Sequence, residues 1–474
     1  MNRTTGESAV SELRELPSVN EVLQTPRARQ IRERSGDQRL TAIARNAVVL
    51  VRNEILAGGD NVKHSRGQLL DRIISMVEAA WSAEYGKRVQ RVINATGVVI
   101  HTNLGRAPLS AAAVEALVHE ASGYCTVEYD LGAGNRGRRG ERAETLLCEL
   151  TGAEDALIVN NCAAAAFMVL SVLAADKEVV ISRGELVEIG GDFRVPDVLT
   201  QSGAVLREVG TTNRTKIADF ENAVGERTAM LLRVHPSNYK ITGFTEMPTL
   251  EAMAALAREK KICMYEDAGS GALIDMTKFG LADEPVISNS IRAGVDIVSF
   301  SGDKLLGGPQ CGIIVGRREL IEQLRRSPLY RALRVSKLTY AALEATLAAY
   351  TTSTPEAELP VLRMLAITPE VLARRSAAFT EGVHAAVGEF LNVEVISGQS
   401  VVGGGAAPDF HPATSLVALR PVADSAAALE RRLRIGETPV IARLQDDRVL
   451  IDLRTVSVDE VDGLLEAVAA ASRP

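Results

Sequence analysis

The chain predicts an α/β protein with a mostly parallel sheet, a helical N-terminal region and a small α+β C-terminal region. Three observations carry that expectation. Short apolar, β-branched runs without strict alternation recur between residues 92 and 350, separated by longer stretches with helical spacing. One such run, Ile262-Cys-Met-Tyr-Glu-Asp267, ends on an acid. Another, Val295-Asp-Ile-Val-Ser-Phe-Ser301, turns through Gly302-Asp303 to a single lysine, Lys304, before Gly/Pro-rich backbone feeds Gly312-Ile-Ile-Val315. Ligands of open α/β sheets bind beyond the carboxyl ends of the strands, so Asp267 and Lys304 are expected to face one crevice.

Composition sets the outer limits. The chain has 474 residues, 46% hydrophobic and 24% charged, which is ordinary globular chemistry with ample core. A net charge of −7 gives no global nucleic-acid signature, so such a partner would need a local basic patch. Five scattered cysteines (Cys125, Cys148, Cys162, Cys263, Cys311) form no CxxC pair, which argues against a disulfide framework and a structural zinc site. The first residues lack an apolar leader and no run is long enough to cross a bilayer. A cytoplasmic protein with no membrane partner and no metal is expected.

The elements follow in order. Residues 1–65 read as a helical domain: Ser18-Val-Asn-Glu21 resembles a capping box, and Arg39 to Leu56 has helical spacing and stops at Gly58-Gly59. Between Arg27 and Arg52 lie seven arginines against Glu33 and Asp37; Arg27, Arg29, Arg32, Arg34, Arg39 and Arg45 are candidates for an RNA backbone, the alternative being a solvated helix face. Residues 66–355 form the large domain, with strands expected at Ala156–Val159, Glu178–Ser182, Val205–Val209, Ala229–Val234, Ile262–Glu266, Ile297–Ser299 and Gly312–Val315. Residues 356–474 form the small domain: a helix over Pro369–Gly388, strands near Val393–Ile396 and Ser415–Leu419, a hairpin turning at Gln445-Asp-Asp-Arg448 and a helix over Asp459–Ala471.

A carboxylate able to hold a pyridinium nitrogen, beside a lysine able to form a Schiff base, is what pyridoxal 5'-phosphate chemistry requires. Asn161 and Cys162 open a small-residue helix after a strand, a place where free N–H groups and the helix dipole suit a phosphate. Ser299 and Ser301 are candidate hydroxyl donors to that phosphate, and His235 to the cofactor's phenolic oxygen. Arg106, Arg331 and Arg334 are candidates for a second anion, with Arg331 and Arg334 three apart on one helix face. The ordinary alternatives are local turn bonding, a satisfied strand-end histidine and solvated arginines. The basic loop Gly134-Asn-Arg-Gly-Arg-Arg-Gly140 is read as mobile, meeting substrate, RNA or only solvent.

At these residues the chain resembles a known family. Asn94-Ala-Thr-Gly97, His101-Thr-Asn-Leu-Gly-Arg106, Ser182-Arg-Gly-Glu-Leu-Val-Glu-Ile-Gly-Gly191, Glu208-Val-Gly-Thr-Thr-Asn-Arg214, Val234-His-Pro-Ser-Asn-Tyr239 and Ser299-Phe-Ser-Gly-Asp-Lys-Leu-Leu-Gly-Gly-Pro-Gln310 are similar to bacterial selenocysteine synthases, the L-seryl-tRNA(Sec) selenium transferases. The similarity runs from Leu16 through Gly403-Gly-Gly405 to Asp452-Leu-Arg-Thr455. The resemblance implies a pyridoxal-phosphate enzyme of fold type I, aspartate-aminotransferase-like, assembled as a homo-oligomer of dimers in a decameric ring. It implies conversion of L-seryl-tRNA(Sec) to L-selenocysteinyl-tRNA(Sec) with selenophosphate, through an aminoacrylyl-tRNA intermediate. Lys304 matches the Schiff-base lysine and Asp267 the ring-nitrogen partner. Arg106, Arg331 and Arg334 match the arginines that gather the anionic selenium donor, and the N-terminal domain matches the part that grips tRNA. The sequence departs from the pattern at Cys162, where asparagine is usual, and at Arg138-Arg139-Gly140, where Ser-Arg is usual. The rival readings are a related pyridoxal-phosphate lyase acting on a small phosphorylated amino acid or amino sugar acid, and a tRNA-binding protein without catalysis. The first would not need the basic extension, and intact Lys304 and Asp267 oppose the second.

Overall fold

The computed structural model describes residues 13–57, 64–85, 88–190 and 193–473. The expected helix stop at Gly58-Gly59, residues 1–12 of the expected helical domain, and Gly191 lie outside the described residues, as does the side chain of Arg34. The chain divides into two units, residues 1–91 and 92–474.

In the first unit, helix α1 (Val19–Gln24) starts as the sequence predicts, with Ser18 and Glu21 bonding reciprocally. Thr25 caps α2 (Pro26–Ser35), whose first residue is the proline that suits that position. Helix α3 (Asp37–Leu56) buries Leu40, Ile43, Ala44, Ala47, Val48, Val51 and Ile55 at helical spacing. Helix α4 (Arg66–Tyr85) closes the bundle with Leu69, Ile73, Ile74, Val77 and Trp81 in the same core. The domain boundary expected at residue 65 is thus displaced to residue 91. The stripe on α4 has its apolar partners on α3 and would be exposed otherwise.

In the second unit all seven expected strands form, and they make one sheet: β1 (Asp155–Val159), β2 (Glu178–Ser182), β3 (Val205–Val209), β4 (Thr228–Val234), β5 (Cys263–Gly269), β6 (Ile297–Ser301) and β7 (Gly312–Gly316). The order is β1-β7-β6-β5-β4-β2-β3. Only β7 is antiparallel to its neighbours, because the short turn after Lys304 leaves no room for a crossover helix. Strands β1, β6 and β7 are buried along their whole length, with one core on each face of the sheet. That two-sided burial is why these strands read as unbroken apolar runs.

The C-terminal part has its own sheet, ordered β8-β9-β11-β10: β8 (Leu391–Gln399), β9 (Ala413–Pro421), β10 (Arg443–Gln445) and β11 (Arg448–Asp452). The expected hairpin turns through Asp446 and Asp447, both at positive φ. Two parallel pairings join this part to the beginning of the unit: Ile93–Asn94 with Val440–Ile441, and Val98–Ile100 with Val401–Gly403. The motif Asp452-Leu-Arg-Thr455 acts there. Asp452 accepts from Ser400 and Thr414 at 2.7 and 2.9 Å, and Thr455 bridges to Asn94 and Gly97.

Candidate active site

The adjacency of strands β4, β5 and β6 brings the site together. Asp267 lies in register with Val234 on one side and Ser299 on the other. Its carbonyl accepts from the N–H of His235 at 3.0 Å, and the Leu305 N–H donates to the Ser270 carbonyl at 3.0 Å, tying the lysine turn to the end of β5. Lys304 is buried, and its charge is close enough to act on both Asp267 and Cys162. The acid and the lysine therefore lie near one another at the ends of adjacent strands.

Asp267 is held from several directions. Ser299 donates to its Oδ1 at 3.0 Å and Cys162 Sγ at 3.4 Å. Burial pushes the carboxyl above its usual range; Ser299, Cys162 and the Lys304 charge pull the other way. Burial, and then the Asp267 charge, pushes the Cys162 thiol well up, so it stays a protonated donor. Cys162 begins helix α5 (Cys162–Leu173), and Asn161 caps it, accepting from the Ala164 N–H at 2.8 Å. Asn161 thus spends its side-chain oxygen on the helix, whose start also has free backbone N–H groups and the Ser301 hydroxyl near Cys162. Ser299 is committed between Tyr265 and Asp267, turned away from the phosphate role expected for it.

Arg106 reaches Asp303, the residue before Lys304, at 2.6 Å. Arg331 is exposed on α6 (Pro328–Leu333). Arg334 does not share its helix face: the helix ends at Leu333, and Arg334 turns extended and bridges to Val159. The Asn160 N–H bonds to the Leu333 carbonyl at 3.1 Å, so this end docks beside the start of α5. The arginines of the basic loop are paired within the fold rather than mobile: Arg136 and Arg139 to Glu128, and Arg138 to Glu144 and Asp155. In the N-terminal unit, Arg27, Arg32 and Arg39 pair with Glu78, Asp37 and Glu84 while staying on the surface; Arg29 donates to Gln24, and Arg45 is exposed.

Sequence reasoning missed Glu284 and underread the glycine loop. Glu284 is buried, accepts from Ser270 at 2.6 Å and from the Ala407 N–H at 2.5 Å, and lies 3.9 Å from His235 Nε2. Burial alone would raise its pKa, but the contacts with His235 and Ser270 outweigh it and hold the carboxyl below its ordinary range. Gly403, Gly404 and Gly405 all have positive φ. A Cβ on Gly405 would come within 3.3 Å of Ser237 Oγ and 3.9 Å of Lys304 Nζ, so the loop packs close beside the lysine amine, where a larger side chain would intrude. A buried carboxylate whose burial calls for a cation, beside a buried lysine bordered by glycine backbone, is a donor set that fits a pyridinium-bearing cofactor.

The family described as L-seryl-tRNA selenium transferase matches residues 92–457, and one described as selenocysteine synthase N terminal matches residues 13–52. The chain is 45% identical to L-seryl-tRNA(Sec) selenium transferase of Desulfotalea psychrophila over 96% of both chains. It is 45% identical to the protein of that name from Moorella thermoacetica over 97% of both, and 42% to that of Carboxydothermus hydrogenoformans over 95% of this chain and 96% of that one. Among solved structures, D-glucosaminate-6-phosphate ammonia-lyase shares the fold, with a TM-score of 0.57, 21% identity, and coverage of 82% of this chain and 98% of that one.

Proposed function

The chain belongs to the L-seryl-tRNA selenium transferase family, and from that premise we propose that it converts L-seryl-tRNA(Sec) to L-selenocysteinyl-tRNA(Sec) with pyridoxal 5'-phosphate as cofactor. Identity to these transferases over nearly the full length of both chains carries the reading. The likeness to the ammonia-lyase is one of fold, while the relatives of this name match both units of the chain.

Lys304, Asp267, His235, Ser301 and the backbone at the start of α5 would hold the cofactor. When bound, it supplies an electron sink for negative charge at the substrate Cα. The Lys304 amine is the group we assign to take the Cα proton, and its burial beside the glycine loop limits the access of water to it. Asp267 contributes the fixed negative charge that keeps a ring nitrogen protonated. Arg106 and Arg334, with Arg331 one helical turn away, are the cations for an anionic selenium donor, which we take to be selenophosphate.

The N-terminal unit is the part proposed to bind tRNA. Exposed ion pairs are weak and screened by salt, so RNA phosphates can compete for Arg27, Arg32 and Arg39. A homo-oligomer of dimers working in the cytoplasm completes the proposal. Exposed Val114 and Val118 on the helix Ala111–Ala121, with Tyr124 and Leu131 nearby in sequence, offer apolar surface for a second copy to cover.

The test is incubation of the protein with seryl-tRNA(Sec), seryl-tRNA(Ser) and selenophosphate, then identification of the esterified amino acid. Selenocysteine should appear on tRNA(Sec) alone, and Lys304→Ala should yield none. Serine left unchanged on both tRNAs, or full turnover by Lys304→Ala, would overturn the assignment.

A further inference from the structure

The residues that support Asp267 are themselves arranged in a directed chain. Tyr265 and Asp267 are two apart on β5 and so point to the same face of the sheet. Ser299 lies opposite Asp267 on β6 and reaches the same face. Tyr265 OH is 2.8 Å from Ser299 Oγ, and Ser299 Oγ is 3.0 Å from Asp267 Oδ1. A hydroxyl has one proton, and Ser299 spends it on the carboxylate, so Tyr265 must be the donor to Ser299. From above the sheet Cys162 Sγ reaches the same oxygen, Oδ1, at 3.4 Å. Tyr265 and Ser299 are wholly buried, and burial keeps the Tyr265 phenol and the Cys162 thiol protonated.

We infer that Tyr265, Ser299 and Cys162 are positioning residues that lock Asp267 by occupying its Oδ1, so that Oδ2 is presented to the ring nitrogen of the bound cofactor. The inference rests on the reading of Asp267 as the ring-nitrogen partner. A carboxylate free to rotate about its terminal torsion would divide its time between orientations, since such torsions are broad. Two convergent donors on one oxygen remove that freedom before any cofactor arrives. A purely structural role for Tyr265 is satisfied by its ring, which packs in the core on that face of the sheet. Among the described residues, the hydroxyl's hydrogen-bond partner is Ser299, and through it Asp267.

The experiment uses the full-length protein loaded with pyridoxal 5'-phosphate and the variants Tyr265→Phe, Ser299→Ala, Cys162→Ala, Cys162→Ser and Asp267→Asn. Three readouts are taken: the cofactor dissociation constant, the pH midpoint of its visible absorbance, and kcat against KM for seryl-tRNA(Sec). Losing a hydrogen bond to a charged group corresponds to roughly a tenfold effect or more, so Ser299→Ala should weaken cofactor binding about tenfold. It should also displace the absorbance midpoint in the same direction as Asp267→Asn. Tyr265→Phe should do the same to a smaller extent, with an unchanged melting temperature showing that the core is intact. Cys162→Ser should restore what Cys162→Ala loses, and the other variants should lower kcat with KM little changed. If Asp267→Asn moves affinity and midpoint while the Tyr265, Ser299 and Cys162 variants leave both at the parental values, the positioning role is overturned. If Asp267→Asn itself moves neither, the ring-nitrogen reading falls and the inference with it.

Discussion

A side chain at position 405 would have to adopt a left-handed backbone, φ +70°, and enter the space above the lysine amine. For an L-residue that conformation costs about 1–2 kcal/mol. Gly405→Ala should therefore lower folding stability by about 1 kcal/mol in denaturant titration, since its Cβ still clears Lys304 Nζ at 3.9 Å. Gly405→Val should in addition lose most of the cofactor absorbance, because its branches extend toward the amine. Parental absorbance in the valine variant would show that the loop does not border the cofactor. The same scale separates arginines that looked alike in sequence. Arg106 is tied to the lysine turn, whereas Arg331 stands exposed one helical turn before Arg334.

Among the elements, the loop carrying Glu284 is the one that sequence did not mark. It touches the end of β4 through His235, the end of β5 through Ser270 and the glycine loop through Ala407. Its carboxyl is held below its ordinary value of 4.5, so the stability it contributes is present above that pH and is lost as pH falls through the folded-state pKa. Glu284→Gln should cost about 1–3 kcal/mol near neutral pH, the range for hydrogen bonds to a charged group. Urea titrations of both proteins should then converge below pH 4.5. A difference that stays constant into acid would mean that the charge is not what holds the loop. The basic loop at residues 134–140 teaches the converse. Its arginines suggested a ligand, yet Arg138 shares Glu144 and Asp155 with Arg325 and so fastens β1 to the helices beside it.

For the whole molecule, a protein of net charge −7 that binds tRNA as proposed has to concentrate the charge for it in one place. Arg29 and Arg45 test this most cleanly, because both are exposed and neither has a carboxylate partner among the described residues. The double variant Arg29→Glu/Arg45→Glu should weaken tRNA binding and reduce the salt slope by roughly one to two, since each lost phosphate contact removes about 0.7–0.9 from it. Filter binding across a salt series measures both, and cofactor absorbance should not change. An unaltered slope would take the RNA role away from this face.

What the sequence by itself determined is whatever depends on local pattern. Seven strands, the capping box at Ser18, the hairpin at Asp446-Asp447 and the acid and lysine at two strand ends follow from burial periodicity and turn chemistry over a few residues. Strand order decided the rest. Only when β5 lies beside β6 do Tyr265, Ser299 and Asp267 form one chain of hydrogen bonds, and only the docking of Leu333 beside Asn160 takes Arg334 off its helix. Glu284, Ala407 and His235 are separated by scores of residues, and contacts of that kind leave no periodic trace, because each depends on two distant backbones arriving at the same place.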